Sequence, residues 1–182
     1  MFKTTMALST AVLLSACATT VNHRSDAVDT PSQTGLPIRS VAITYSPSGA
    51  DDLKDNAGFE QSKLLTSIDQ HLTSKQLLET SAPRGDSLEI QITAVRYRST
   101  FNAVMWGFMA GSDNVRGEVY LRDPSGKLLS HFEVYAMYAL GGLGAGWKGE
   151  RWSYLYNKFG DAVADNLAPG KPTHGAPDTA SR

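Results

Sequence analysis

Apolar and polar residues alternate along three stretches of the chain, residues 38–45, 88–97 and 115–121. In the first stretch Val41 and Ile43 mark the apolar positions. Successive side chains of a β-strand point to opposite faces of a sheet, so a period of two is typical of a strand with one buried face. These stretches are therefore predicted to be strands.

The second of these stretches contains a break in its pattern. Ile90 and Ile92 are two residues apart, but the apolar set then continues at Val95 and Tyr97. A slip of one residue turns the two faces of a strand over. We therefore expect a β-bulge near Ala94, or a strand that is buried on both sides there.

A tight turn is predicted at residues 123–126, whose sequence is Asp-Pro-Ser-Gly. Proline presets the backbone at the second position of a type I turn, and glycine suits the fourth position. The turn leads into a further predicted strand that starts at Leu128. If Arg122 pairs with Lys127, counting back along both strands sets the register. The predicted pairs are Val119 with Ser130, Gly117 with Phe132, Glu118 with His131 and Arg116 with Glu133.

Two other stretches of the chain indicate amphipathic helices, because their apolar residues recur at intervals of three to four. The first helix is predicted from Phe59 to near Leu78 and the second from Glu150 to Leu167. The predicted order of elements is β-α-β-β-β-α. We expect an α+β fold, a two-layer sandwich with two helices on one face of a mainly antiparallel sheet.

Two connections, residues 99–114 and 140–149, are expected to share the end of the sheet opposite the predicted turn. Large apolar residues lie on a glycine-rich backbone in both, which is unusual for a loop that faces solvent. Three interpretations stay open: a cap on the core, a pocket for a small ligand, or a contact surface for another protein, a second copy or a lipid surface. The candidate contact residues are Met105, Trp106, Phe108, Met109, Leu143 and Trp147.

The first residues of the chain have the pattern of a signal peptide. Lys3 precedes an apolar run from Met6 to Leu14. This run is too short to span the roughly 30 Å of hydrocarbon in a bilayer. Residues 1–16 are therefore expected to be a secretory signal peptide that is removed.

The residues at the cleavage site, Leu14-Ser15-Ala16-Cys17, resemble the lipobox of bacterial lipoproteins. The resemblance implies that Cys17 becomes the first mature residue and carries thioether-linked diacylglycerol and an amide-linked acyl chain. More than one chain gives stable membrane anchoring. Ala18 at the second mature position implies the outer membrane of a Gram-negative bacterium, with the protein facing the periplasm.

The remaining chain is predicted to contain one domain. Residues 17–35 are polar and are expected to be a lipidated flexible tether that places the domain on the order of 25 Å from its anchor. Residues 36–167 are expected to form a single α+β periplasmic domain, and residues 168–182 a disordered tail. The formal net charge is −1 and the pI is about 6.4, so nucleic acid is not an expected partner.

No residue pattern points to a catalytic, cofactor or metal site. The glycine spacing at residues 144–149 matches a dinucleotide fingerprint, but that fingerprint needs a strand after its helix, and a polar tail follows here. Ser130 and His131 are neighbours on a strand and point to opposite faces, so they cannot form a catalytic pair. The acidic run at residues 51–55 lacks the glycine and the distal glutamate of a calcium loop. We expect no enzyme activity, nucleotide, cofactor or metal.

Four short motifs are recognisable together: APRGDSLEIQIT at residues 82–93, GFMAG at 107–111, RDPSGKLL at 122–129, and the glycine-rich run before the last helix. Over residues 36–167 this set resembles a group of uncharacterised proteobacterial lipoproteins that contain a domain of unknown function. That group is distantly similar to the periplasmic α+β domains of the curli-secretion lipoprotein, the TolB amino-terminal domain and lipoprotein activators of cell-wall synthases. The resemblance implies an envelope role and no known catalytic residue.

These observations predict an outer-membrane-anchored periplasmic lipoprotein that acts as a non-catalytic interaction or envelope-assembly module. The expected partner is an unknown envelope protein or a second copy of the chain. One alternative is a carrier or sensor of a small apolar ligand bound near the glycine- and tryptophan-rich loops. A second alternative is a periplasmic hydrolase.

Overall fold

The computed structural model describes residues 19–24, 35–99, 111–139 and 148–168, which form one five-stranded sheet and three helices. The sheet order is β1-β5-β4-β3-β2, and only β2 and β3 run parallel to each other. The predicted α+β fold with a mostly antiparallel sheet is confirmed. The strands are β1 (Thr19–His23), β2 (Ile38–Tyr45), β3 (Asp86–Arg96), β4 (Asp113–Arg122) and β5 (Leu128–Tyr138), and the helices are α1 (Pro47–Asp55), α2 (Gln61–Ser74) and α3 (Lys148–Leu167).

Strand β1 was not predicted, and the expectation that residues 17–35 form a flexible tether is wrong for residues 19–23. Thr19 pairs with Ala136 and His23 with Phe132, so β1 is an edge strand beside β5. The sequence TTVNH contains a single apolar residue, and no alternation can therefore be recognised in it. The strand is stabilised by its pairing with β5 and by Val21, which packs against the core.

Helix α1 occupies residues for which the spacing of apolar residues predicts no helix. The Ser46 hydroxyl accepts a hydrogen bond from Gly49 N at 3.1 Å, and Pro47 stands in the first turn. A serine cap followed by proline is a favoured helix start. The helix lacks an apolar stripe, because Gly49 is its one buried residue, and this is why the spacing of apolar residues did not reveal it.

Helix α1 covers the part of β3 that extends beyond the end of β2. The backbone N–H of Val95 donates to Asp52 Oδ2 at 2.9 Å, and the Val95 carbonyl accepts from Asn56 Nδ2 at 3.0 Å. These bonds give hydrogen-bond partners to the backbone N–H and carbonyl of Val95, which β2 is too short to reach. A Cβ atom at Gly49 would lie 2.2 Å from the Ile92 carbonyl oxygen, so the close approach requires glycine.

The bulge expected near Ala94 is confirmed, because the register between β3 and β4 shifts between Ile92 and Ala94. The predicted turn is also present, and Gly126 N donates to the Asp123 carbonyl at 2.9 Å.

The predicted register between β4 and β5 is wrong by two residues. The observed pairs are Val119 with Phe132, Gly117 with Val134, Glu118 with Glu133 and Arg116 with Tyr135. The turn is closed by Asp123 N, which donates to the Lys127 carbonyl at 3.0 Å, and the register then shifts again between Leu121 and Arg122. A shift of two residues leaves every side chain on its predicted face.

Helices α2 and α3 pack against each other and against one face of the sheet. Their buried apolar residues meet the inward side chains of the strands. Gly117 on β4 provides space for this packing, since a Cβ atom there would lie 3.1 Å from Phe159 Cζ. None of the described helices is both long enough and apolar enough to cross a membrane. The most deeply buried apolar residues include Leu64, Ile68, Leu72, Ile90, Ile92, Val115, Val119, Phe132, Val134, Leu155, Phe159 and Val163.

The opposite face of the sheet carries charged and aromatic side chains. Glu118 and Glu133 lie directly opposite each other on β4 and β5, and Arg24 forms a salt bridge with both. His131 Nε2 lies 3.1 Å from Glu118 Oε2. The hydrogen bond to Glu118 raises the pKa of Arg24. Arg24, which directly follows β1, thus offsets a pair of like charges that would otherwise destabilise the sheet.

Candidate functional site

One end of the sheet gathers the ends of four chain segments, and we call it the loop end. Strand β3 finishes there at Arg96 and β5 at Tyr138, while β4 begins there at Asp113. Helix α3 also begins there, because Arg151 in its first turn contacts Asp113. The residues that flank segments 100–110 and 140–147 therefore lie at this end, as expected for the two connections. The opposite end, which contains residues 123–127, is the turn end.

Strand β1 brings a further part of the chain to the loop end. It runs antiparallel to β5, and its first residue, Thr19, pairs with Ala136, two residues before β5 ends. Cys17 is two residues before Thr19 in the sequence and lies outside the described residues. Because consecutive Cα atoms are 3.8 Å apart, the Cys17 Cα is within about 7 Å of the Thr19 Cα.

A buried cluster of charged side chains lies at the loop end. Asp113 is fully buried, and its Oδ1 accepts hydrogen bonds from the backbone N–H of Arg98 at 2.7 Å and from Arg98 Nε at 3.2 Å. Its Oδ2 accepts from Arg151 Nη1 at 2.8 Å and from Arg98 Nη2 at 3.4 Å. Charge-assisted bonds of this kind are stronger than neutral ones. We call Arg98, Asp113 and Arg151 the charged cluster.

The charged cluster connects all four chain segments that meet at the loop end. Arg98 Nη1 donates to the Gly111 carbonyl at 2.7 Å, and its Nη2 donates to the Tyr138 carbonyl at 3.3 Å. Arg151 Nη2 donates to the carbonyl of Arg98 at 3.1 Å. The residues that flank segments 100–110 and 140–147 are therefore fixed relative to one another by one hydrogen-bonded network.

Aromatic rings extend the charged cluster into the core. The Arg151 guanidinium lies 4.1 Å from the centre of the Tyr97 ring, a distance suited to a cation–π interaction. Tyr97 stacks on Trp152 with ring centres 4.6 Å apart, and Trp152 stacks in turn on Tyr156. Burial raises the pKa of Tyr97, and burial raises that of Tyr156 to about 12. Both phenols are therefore neutral at physiological pH.

The charge of the cluster is unbalanced, since two arginines face one aspartate. Arg151 Nε and Trp152 Nε1 are buried and have no hydrogen-bond partner among the described residues. Segments 100–110 and 140–147 contain no aspartate, glutamate, lysine or arginine. The loop end thus combines a buried cationic anchor with two uncharged, largely apolar segments.

Sequence reasoning missed the charged cluster, although a signal for it was present. Asp113 continues the inward-facing set of β4, two residues before Val115. Arg151 stands four residues before Leu155 and so lies in phase with the apolar stripe of α3. A charged residue in phase with a buried face indicates an ion pair or a network, because an unpaired buried charge is strongly unfavourable.

The residues predicted as an interaction surface, Met105, Trp106, Phe108, Met109, Leu143 and Trp147, lie outside the described residues, as does the predicted lipidation site Cys17. The structure does show that residues on both sides of the two loop segments share one end. Beside that end is a cleft of about 330 Å³, lined in part by Asn56, Tyr97 and Trp152. Among the described residues, no group of histidine, cysteine, aspartate and glutamate is arranged to hold a metal.

Two solved structures are similar to this chain at low sequence identity. A variant PelC dodecamer from Paraburkholderia phytofirmans is 13% identical, with 84% of this chain and 100% of that chain covered and a TM-score of 0.47. A minor lipoprotein from Acinetobacter baumannii is 12% identical, with 71% of this chain and 88% of that chain covered and a TM-score of 0.32. No curated protein matches the chain.

A protein family matches residues 12–142, which is more than half of the chain and includes all the described strands. The family is described as a domain of unknown function, in agreement with the sequence-based resemblance to lipoproteins that contain such a domain. The chain belongs to the family Domain of unknown function (DUF4410).

Proposed function

We propose that this protein is an outer-membrane-anchored, periplasm-facing lipoprotein that acts as a non-catalytic interaction or envelope-assembly module, and that the loop end is its contact surface. The observation that carries the proposal is the convergence of three features at one end of the sheet. The start of β1, the residues that flank segment 100–110 and the residues that flank segment 140–147 all lie there.

The composition of the two segments supports a contact role. They contain two tryptophans, Trp106 and Trp147, and no charged residue. A concentration of apolar side chains at one end of a domain is typical of a binding surface, because water does not favour such a surface. Binding residues are also commonly held on loops that a rigid scaffold positions.

The charged cluster supplies that rigid scaffold. Removing Arg98, Asp113 and Arg151 from water is costly, and an apolar cluster of similar size would serve stability at least as well. The charged cluster adds a defined geometry. Its hydrogen bonds fix the positions of the residues on either side of both loop segments. We infer that the charged cluster serves to keep the contact surface in a defined shape.

The experiment is photo-crosslinking in intact cells. A photoreactive amino acid replaces Trp106 or Trp147 at the loop end, and Ser125 at the exposed turn end serves as the matched position. We expect a crosslinked product, to protein or to lipid, from both loop positions and none from position 125. Equal patterns at the three positions, or no product at 106 and 147, would contradict the proposal.

The same cells test the anchor. A Cys17→Ala variant is expected to leave the outer-membrane fraction and to lose the crosslinked product with it. Retention of this variant in the outer membrane would show that lipidation of Cys17 does not hold the protein there.

A further inference from the structure

We propose that two copies of the chain associate edge to edge through strand β1, so that their sheets join across a two-fold axis at Val21. This surface is distinct from the loop end, and the inference goes beyond the proposed function. Three features of the described residues carry it: the free edge of β1, the contacts that hold β1 on the sheet, and the charges along α3 beside it.

Strand β1 presents a free backbone edge. It is the last strand in the sheet order, and among the described strands β5 alone pairs with it. Arg24 N donates to the His131 carbonyl at 3.0 Å. Bonded positions alternate in an antiparallel pair, so the even-numbered residues of β1 bond to β5. The backbone N–H and carbonyl groups of Thr19, Val21 and His23 therefore point away from the sheet.

The sequence of β1 does little to block this edge. Natural edge strands are commonly protected by short length, charged side chains, proline or a bulge. Strand β1 is short, with five residues, but TTVNH contains no lysine, arginine, aspartate, glutamate or proline, and its register with β5 is unbroken. The other edge strand, β2, is covered where it begins, because Ile38 exchanges hydrogen bonds with Leu77 and Glu79 on its outer side. The edge of β1 is therefore suited to a further strand.

Strand β1 is also held firmly enough to receive one. Val21 packs against the core, and Arg24 forms salt bridges with Glu118 on β4 and Glu133 on β5. Asn22 Nδ2 donates to Glu133 Oε1 at 3.3 Å. The edge is thus ordered before association, which reduces the entropy that association costs.

A second copy fits this edge in one defined register. With a two-fold axis at Val21, the two Val21 residues face each other, and Thr19 of each copy faces His23 of the other. All three residues with outward backbone groups then exchange hydrogen bonds. A register shifted by two residues in either direction moves one of the three beyond the end of the other β1. A two-fold contact uses the same patch on both copies, so β1 supplies both sides.

The charges beside β1 match in this arrangement. A cleft of about 300 Å³ lies between β1 and α3, and the α3 residues that line it extend from Tyr154 to Asn166. Lys158 and Asp161 lie on either side of the middle of this stretch, with Lys158 nearer the loop end. The two-fold axis reverses the direction of α3 in the second copy. Lys158 of each copy therefore faces Asp161 of the other.

The spacing of the two helices suits such an ion pair. Helix α3 packs mainly over β5, and three strand spacings of about 4.8 Å separate the two β5 strands, so the helix axes lie roughly 14 Å apart. Helices in direct contact are about 8–10 Å apart, so long polar side chains have room to meet in this gap. Asp165 in the same cleft is paired with Lys75 at 2.6 Å. Lys158 makes no salt bridge within the described part of the chain, and its ammonium lies 5.9 Å from the centre of the Tyr154 ring.

The first test is disulfide formation between copies in intact cells. Position 20 of one copy faces position 22 of the other as a non-hydrogen-bonded pair, with Cα atoms about 4.5 Å apart, a distance that a disulfide can span. Cells that express Thr20→Cys and Asn22→Cys copies with different tags should give a product that contains both tags. Ser125→Cys at the turn end is the matched control and should give none. The wild type, which contains Cys17, supplies the background.

The outcome also tests the register. A product from Thr20→Cys alone, or from Asn22→Cys alone, that exceeds the mixed product would show a different register and overturn the inference. A yield at position 125 equal to that of the mixed pair would overturn it as well.

The second test is the oligomeric state of the purified full-length protein, measured by sedimentation velocity. The N–H of residue 23 points outward, so His23→Pro removes a bond of the association and leaves the pairing of β1 with β5 in place. We expect the wild type and His23→Ala to be dimers and His23→Pro to be a monomer. A monomeric wild type, or a His23→Pro variant that stays dimeric, would overturn the inference.

A charge exchange tests the contact between the helices. Lys158→Glu should raise the Kd of the dimer about tenfold, because the substitution acts at both symmetry-related contacts. Lys158→Glu combined with Asp161→Lys should restore the wild-type Kd. A double variant that associates no better than Lys158→Glu would contradict the two-fold arrangement.

Discussion

The loop end and the turn end of the sheet are built in different ways. At the turn end a single side chain organises its own neighbourhood: Asp123 Oδ1 accepts hydrogen bonds from Ser125 N, Ser125 Oγ and Lys127 N, at 2.6–3.0 Å. Gly126 follows with a φ of 86°, which glycine adopts without strain. At the loop end, Asp113 is reached by Arg98 from 15 residues away and by Arg151 from 38 residues away.

The turn end is held by contacts between residues close in the sequence, whereas the loop end is held by contacts between residues far apart in the sequence. The turn end is specified by five consecutive residues and is exposed. The loop end is specified by residues from three separate elements and is buried at considerable cost. Such a cost is explained if the loop end has to present a defined surface, which is the central claim of the proposed function.

The largest expected effect comes from Asp113→Ala. This substitution removes the buried carboxylate that Arg98 and Arg151 both bind, and removal of one partner from a buried ion pair costs about 3–5 kcal/mol. Urea denaturation should show a correspondingly lower free energy of unfolding. Asp123→Ala is the matched control at the turn end, and it should have a much smaller effect because no buried charge is left behind. Equal effects at the two ends would contradict the comparison.

A smaller effect is expected from Thr20→Pro in β1. Arg24 N donates to the His131 carbonyl, and in an antiparallel pair the bonded positions alternate, so the N–H of Thr20 points toward Tyr135 on β5. Proline removes that bond and should lower the free energy of unfolding by roughly 1–3 kcal/mol. Thr20→Ala keeps the N–H and is the control. If residues 17–24 were a tether, neither variant would change stability.

The smallest expected effect is a pH dependence at the turn end. The hydrogen bond from the Ser125 hydroxyl is the largest cause of a lowered pKa at Asp123, whose ordinary value is 3.8. A lowered pKa in the folded state contributes stability above the unfolded value and loses it as pH falls through the folded value. The wild type should therefore be slightly more stable than Asp123→Asn at neutral pH. The difference should disappear at about pH 2, and a difference that persists in acid would contradict this account.

The same division explains how much of the fold could be predicted. The turn at residues 123–126, the bulge near Ala94 and the apolar stripe of α3 are local patterns, and each was recognised from its own residues. The register of β4 and β5 was wrong because a second shift, between Leu121 and Arg122, has no counterpart in the spacing of apolar residues.

Features that depend on distant partners were not predicted. Strand β1 has almost no apolar content and exists through its pairing with β5. The charged cluster joins Arg98, Asp113 and Arg151, and the hydrogen bonds between them span 15 and 38 residues of the sequence. Pattern reasoning located the shared end of the two connections but not the network that fixes it, because such a network is a property of the folded chain.

The most direct test of the central claim compares the two ends in the same cells. The measurement is the yield of irradiation-dependent product from a photoreactive residue at position 147 and from one at position 125, in protein that carries the lipid on Cys17. The account predicts a product at position 147 and none at position 125. Equal yields at the two positions would contradict it, because the loop end would then be no more of a contact surface than the turn end.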